Sequence, residues 1–78
     1  MPTVLIEGPY RFFFYSADRE ESRHIHVERD ECSAKFWLEP IRLQKSRGFS
    51  RTELRQVQRL VDQNEYRFMD AWHEHFGD

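Results

Sequence analysis

The stretch His24-Ile25-His26-Val27-Glu28 alternates between polar and apolar side chains, and this alternation decides how the chain folds. In a β-strand, successive side chains point to opposite faces of the sheet. His24, His26 and Glu28 therefore share one face of a predicted strand, while Ile25 and Val27 lie on the other. The apolar face is typical of a strand that covers a core, and the polar face is where we expect any chemistry to occur.

Further strand patterns lie on either side of this central strand. Thr3–Ile6 and the aromatic segment Tyr10–Ser16 precede it, and Ser33–Leu38 follows it across a short turn. Residues 17–23 are charged and lack periodicity, which predicts an exposed loop. A proline ends the last of these strands, so we expect residues 41–43 to extend the sheet only briefly.

The start of a helix is the clearest local signal in the second half of the chain. Ser50 is a favoured N-cap, and Glu53 three positions later predicts a capping box. Asn64 interrupts the apolar stripe of this helix, so either a continuous helix or two shorter helices fit the pattern. We predict one long helix that ends near Phe76, with Gly77 as its stop. The stripe consists of Leu54, Val57, Leu60, Val61, Phe68, Ala71 and Trp72.

These elements predict an α+β fold in a single domain of residues 1–78. The sheet is expected to be small and mainly antiparallel, with three to five strands. The one long C-terminal helix is expected to pack on one face of it. A chain of 78 residues can bury one modest core, so any site should lie on an open surface.

The composition excludes several classes of protein. The single cysteine cannot form an internal disulfide, and no apolar run approaches the roughly 20 residues of a membrane span. The N-terminus lacks the basic and apolar regions of a signal peptide. We therefore expect a cytoplasmic protein that does not contact membranes.

The net charge of −2 conceals a strong asymmetry along the chain. Residues 41–60 hold six basic side chains and one acidic side chain, a net charge of +5, whereas the segments before and after them are acidic. Arg51, Arg55 and Arg59 are spaced to share one helix face. Such a face predicts binding to an acidic protein or to the phosphates of a nucleic acid, although a solvated helix surface has the same pattern.

A metal site is one interpretation of the histidine pair. His24 and His26 can approach one ion, but a zinc site needs at least three protein ligands. A third ligand from His73 or His75 would require the helix end to reach the far face of the sheet. We therefore predict no metal ligand and no cofactor.

Metal-independent cleavage of a phosphodiester is the second chemistry that fits the polar face. Histidine can act as general acid or base near neutral pH, and basic side chains stabilise charge that develops on phosphate. Half-exposed histidines that pack on aromatic rings are the structural alternative. The candidate catalytic residues are His24, His26, Arg11, Tyr15 and Lys35.

Several segments together resemble one known family, the small bacterial proteins that carry domain of unknown function 4160. The family's strand reads Pro-His-Val-His-Val, and here Arg23 replaces the proline while Ile25 replaces the first valine. The matching segments are Met1-Pro2-Thr3-Val4, Tyr10–Ser16, His24–Val27, Ala34–Leu38, Gly48-Phe49-Ser50, Glu53-Leu54 and Ala71-Trp72-His73.

The resemblance implies that the protein belongs to a small genetic module, and it implies no particular reaction. Members of the family are often encoded beside a second small protein, which suggests a component of a toxin-antitoxin-like module. The function predicted first is therefore binding of a protein partner. A ribonuclease-type toxin that uses the histidine pair is the alternative.

Overall fold

The computed structural model describes residues 3–77, so Met1, Pro2 and Asp78 lie outside the described residues. Five antiparallel strands form one sheet in which each strand pairs with the next along the chain. The sheet and two helices give the α+β class predicted from the sequence. The strands are β1 (Thr3–Glu7), β2 (Tyr10–Phe13), β3 (His24–Arg29), β4 (Cys32–Leu38) and β5 (Ile41–Arg47).

The register of the central strands follows the predicted alternation. Ile25 lies opposite Phe36, and both side chains are completely buried on the face that the helices cover. His26 lies opposite Lys35 on the other face. A shift of one residue would move every apolar side chain of β3 out of the core, so the alternation determines which face of β3 is buried.

Two helices replace the single long helix that we predicted. Helix α1 (Arg51–Gln63) ends at Asn64, and α2 (Glu65–Phe76) begins directly after it. The Asn64 side chain donates a hydrogen bond of 2.8 Å to the carbonyl of Leu60, which also accepts the Asn64 backbone N–H at 3.1 Å. Gly77 ends α2 in the left-handed conformation with φ of 77°, as predicted.

Both helices bury their apolar stripe against the sheet. From α1, Val57 and Val61 are fully buried, and from α2, Phe68 and Trp72 are at most 1% exposed. They pack with the apolar side of the sheet, where Phe12, Ile25, Val27, Phe36 and Leu38 are fully buried.

The capping box at the start of α1 forms only in part. The Ser50 hydroxyl accepts the Glu53 backbone N–H at 3.1 Å, as expected for an N-cap. The Glu53 carboxylate, however, accepts hydrogen bonds from the Tyr10 hydroxyl at 2.7 Å and from the Arg29 guanidinium at 2.6 and 2.8 Å. Glu53 therefore ties α1 to β2 and β3 instead of closing the box.

Two segments are more ordered than predicted. The expected loop of residues 17–23 contains a 3-10 turn (Ser16–Glu20), and Asp18 within it is only 6% exposed. Beyond Pro40 the chain forms the full seven-residue strand β5 instead of a brief extension. Within the described residues, neither helix is long and apolar enough to cross a bilayer.

Candidate functional site

A carboxylate and two imidazoles meet beneath the 3-10 turn. The Asp18 Oδ2 atom lies 3.0 Å from Nε2 of His26 and 3.2 Å from Nε2 of His24. The same oxygen accepts the backbone N–H of Tyr15 at 2.8 Å, which holds the carboxylate over β3. We call Asp18, His24 and His26 the Asp-His cluster.

His24 is enclosed on all sides, contrary to the expectation that any site lies on an open surface. Its side chain is 0% exposed and makes edge-on ring contacts with Trp37 and with Trp72 of α2. Its Nδ1 lies 2.7 Å from the carbonyl oxygen of Ser22, and because a carbonyl only accepts, Nδ1 carries the proton. The buried Nε2 has no hydrogen-bond partner among the described residues.

His26 is the member of the cluster that reaches the surface, with 14% of its side chain exposed. Its ring stacks on Phe13 and meets the edge of Tyr15 at a centroid distance of 4.7 Å. Burial lowers the pKa of His26 below its ordinary value, and the Asp18 carboxylate only partly offsets this. The ring is therefore neutral at pH 7.

The pKa of Asp18 is set by opposing influences. Burial raises the pKa of this carboxyl, but the hydrogen bond from the Tyr15 N–H and the two imidazoles together lower it below its ordinary value. Asp18 is thus a carboxylate at neutral pH. A buried negative charge beside two imidazole nitrogens could hold a metal ion, since the three ligand atoms lie within 4.8 Å of one another.

A groove of about 450 Å³ lies beside His26 on the face of the sheet away from the helices. Tyr15 and Lys35 line it together with Lys45 and Arg47 of β5. The groove is therefore basic and partly aromatic, a composition that suits a phosphate group.

The predicted catalytic residues converge only in part. His24, His26 and Tyr15 surround Asp18, but Arg11 forms an ion pair of 2.7 Å with Glu28 and lies over the ring of Phe13. The Lys35 ammonium is paired with Glu21 beside the Trp37 ring. Both cations are thus held by carboxylates.

Asp18 and Glu21 were missed by the sequence analysis. Both belong to the segment that we predicted as an exposed loop. The charged residues of this segment show no periodicity, so the sequence does not indicate where their side chains point. The available signal was the position of Asp18 three residues after Tyr15, since Asp commonly caps a turn that follows a strand. That signal predicts the turn but not its docking onto β3.

A second candidate site is the basic surface, defined as the side chains of Arg42, Lys45, Arg47, Arg51, Arg55 and Arg59. All six residues are exposed. The first three lie on the face of β5 away from the helices and the others on α1, which contacts β5 from the opposite face, so they lie on the two sides of one sheet edge. Within residues 3–77, none of them forms an ion pair with a carboxylate. The one acidic residue of the segment, Glu53, is occupied by Tyr10 and Arg29.

The fold and the two sites define a small α+β protein with an antiparallel meander, a buried Asp-His cluster and a basic edge. The chain belongs to the family described as Domain of unknown function (DUF4160), whose model matches residues 10–73. The match includes the whole Asp-His cluster and all six residues of the basic surface. Comparison with curated proteins gave no match, and neither did comparison with solved structures.

Proposed function

We propose that this protein binds an acidic partner protein through its basic surface, as one component of a toxin-antitoxin-like module in the bacterial cytoplasm. The observation that carries the proposal is the absence of ion pairs at all six basic side chains within residues 3–77. A basic side chain that already forms an ion pair within the fold attracts an acidic partner protein only weakly. Cations that are exposed and unpaired steer an acidic protein toward the surface.

The free edge of β5 supports a protein partner. The strand has seven residues and pairs with β4 on one side only, so part of its backbone N–H and C=O groups remain available to another chain. A partner strand can add to such an edge, where main-chain hydrogen bonds supply affinity and neighbouring charges supply specificity.

The aromatic content of the same segment favours protein over single-stranded nucleic acid. Proteins that hold single strands stack the bases on exposed aromatic rings. In residues 41–60 the single aromatic residue is Phe49, which is only 9% exposed. The basic surface therefore lacks a stacking platform.

The test is binding to the small protein encoded beside this one, measured by calorimetry with purified components. Replacing Arg51 and Arg55 by glutamate should weaken binding at least tenfold, because two attractions become repulsions. A matched double reversal at Arg19 and Arg67, which are also exposed, should leave the affinity within about twofold. Equal effects of the two pairs would reject the basic surface as the binding site, and binding to RNA alone would indicate a nucleic-acid partner.

A metal-independent ribonuclease is the second candidate function. The groove favours it, because His26, Tyr15, Lys45 and Arg47 lie together at the surface. The burial of His24 weighs against it, since acid-base cleavage needs a second group that can exchange protons with the substrate. Loss of RNA cleavage in His26→Ala with retained folding would support this function, and the absence of cleavage by the wild-type protein would exclude it.

A further inference from the structure

In the Asp-His cluster, two hydrogen-bond acceptors face each other with no donor between them. His24 donates its Nδ1 proton to the carbonyl of Ser22, so Nε2 presents a lone pair. That lone pair faces the Asp18 carboxylate oxygen 3.2 Å away, which is also an acceptor. No hydrogen lies between the two atoms in this tautomer, so the lone pair of the buried His24 Nε2 has no donor.

The burial of His24 makes this mismatch informative. Its side chain is 0% exposed, and its Nε2 has no hydrogen-bond partner among the described residues. A buried polar atom without a partner is costly and is rarely left so in a folded protein. Here the atom points toward a carboxylate and a second imidazole, which are both common metal ligands.

The two distances from Asp18 to the imidazole nitrogens agree with those between ligands of one ion, and all three ligand atoms lie within 4.8 Å of one another. Zinc–ligand bonds of about 2.0 to 2.1 Å place neighbouring ligand atoms about 3.3 Å apart in a tetrahedral site and about 3.0 Å apart in an octahedral one. The Asp18 Oδ2 atom lies 3.0 and 3.2 Å from the two imidazole nitrogens. Each of these distances is within a few tenths of an ångström of the ideal values.

The surroundings of His24 also fit a ligand. In an imidazole that binds a metal, the N–H of the second ring nitrogen usually donates a hydrogen bond to a backbone carbonyl or a carboxylate. This bond fixes both the tautomer and the ring orientation. The bond of 2.7 Å from Nδ1 to Ser22 provides this contact. The backbone N–H of Tyr15 orients Asp18 in a similar way.

From these observations we infer that Asp18, His24 and His26 form a binding site for one divalent transition-metal ion, of the Zn²⁺ or Fe²⁺ type. The ion satisfies the His24 lone pair and links the 3-10 turn to β3. Two imidazoles and one carboxylate are a ligand set found for both metals, and three protein ligands leave room for an exchangeable one. His26 connects the site to the groove.

This inference departs from the sequence analysis, which predicted no metal ligand. The third ligand was sought at His73 and His75, and both are exposed on α2. The structure brings Asp18 from the preceding turn instead. The separation of six residues between Asp18 and His24 is not a known metal-binding spacing, so only the packed turn reveals the set.

The test uses the full-length protein without an affinity tag, freed of metal by a chelator and titrated with Zn²⁺ or, anaerobically, with Fe²⁺ at pH 7.5. Calorimetry should show one equivalent bound, and the melting temperature should rise with metal concentration, because binding to the folded state alone stabilises it. The absorption spectrum of the Co²⁺ form then distinguishes a tetrahedral from an octahedral site.

Variants locate the site. Asp18→Asn keeps an acceptor for the Tyr15 N–H but removes the charge, and His26→Gln removes a ligand at the half-exposed position. Each should weaken binding by about tenfold or more, as loss of a metal contact does. His73→Gln, at an exposed histidine outside the cluster, is the matched control and should bind as the wild type does.

Two results would overturn the inference. The first is no stoichiometric binding of either ion by the wild-type protein, which would mean that the Asp-His cluster holds no metal. The second is equal binding by the three variants, which would assign the metal to surface groups. X-ray absorption of the wild-type metal form, where two imidazole ligands are expected, decides the question even if a variant does not fold.

Discussion

Among single residues, Glu53 connects the most parts of the molecule. Its backbone N–H is capped by Ser50, and its carboxylate binds Tyr10 of β2 and Arg29 of β3. The hydrogen bonds from Arg29 and then from Tyr10 lower the pKa of Glu53 below its ordinary value of 4.5. The folded state therefore prefers the ionised carboxylate.

The consequence is a loss of stability in acid. A carboxyl group whose pKa is lower in the folded state contributes stability above its unfolded pKa, and this contribution is lost as the pH falls through the folded pKa. We predict that Glu53→Gln is less stable than the wild type at pH 7 and that the difference shrinks between pH 5 and pH 3. Urea denaturation across this range measures it, with Glu31→Gln at an exposed turn position as the control. A constant difference would contradict the role of ionised Glu53.

Gly48 is a second residue at which the surrounding structure excludes a larger side chain. It has φ of 88°, and a Cβ atom added there would lie 2.9 Å from Cys32 Sγ and 3.3 Å from Cys32 Cα. A larger residue would thus be strained in its backbone and would also collide with β4.

Gly8 provides a matched comparison, because its φ is 58° but nothing lies within 4 Å of an added Cβ. Gly8→Ala should cost about 1 kcal/mol from backbone strain alone. Gly48→Ala should cost about 1 to 2 kcal/mol more, since the collision adds to the strain. Denaturant unfolding of both variants measures the difference, and equal losses would show that Cys32 moves aside freely.

At the scale of elements, α2 is the part of the fold that the sequence described least well. The apolar stripe predicted its buried face, but the same stripe continues across Asn64, so periodicity could not show the break. At the break the Asn64 side chain bonds to the Leu60 carbonyl beside the Asn64 backbone N–H, a local arrangement that hydrophobic spacing does not report.

Docking of α2 can be tested at its first turns. Phe68 is fully buried and packs against Phe12 with ring centroids 5.1 Å apart. Phe68→Ala should destabilise the protein by about 3 to 5 kcal/mol through the cavity it leaves. Tyr66→Ala, at a position 86% exposed, should change stability by less than about 0.5 kcal/mol. Similar stabilities for the two variants would show that α2 does not pack on the sheet.

At the scale of the whole molecule, the sequence predicted the faces of the sheet better than it predicted the site. Strand alternation placed Ile25 inside and His26 outside, because a slip of one residue would exchange the two faces. The position of Asp18 could not be predicted, since it depends on how a short turn packs over β3. Burial of His24 likewise depends on Trp72, which is 48 positions away in the chain.

The charge distribution, too, could be predicted from the sequence only in part. The sequence located the excess of positive charge in residues 41–60, and the structure assigns it to an edge strand and an adjoining helix. It also shows that Glu53 does not neutralise this segment, because its carboxylate bonds to Tyr10 and Arg29. The basic surface is therefore more positive than the composition of its segment indicates.

The proposal that the basic surface binds an acidic protein is tested most directly by NMR. The ¹⁵N-labelled protein is titrated with the proposed acidic partner protein, and the amide shifts are followed at low salt and again at high salt. We predict that the largest changes fall in β5 and the exposed face of α1, and that added salt reduces them because it screens exposed charges. Changes confined to β1, β2 or α2, with residues 41–60 unaffected, would contradict the proposal.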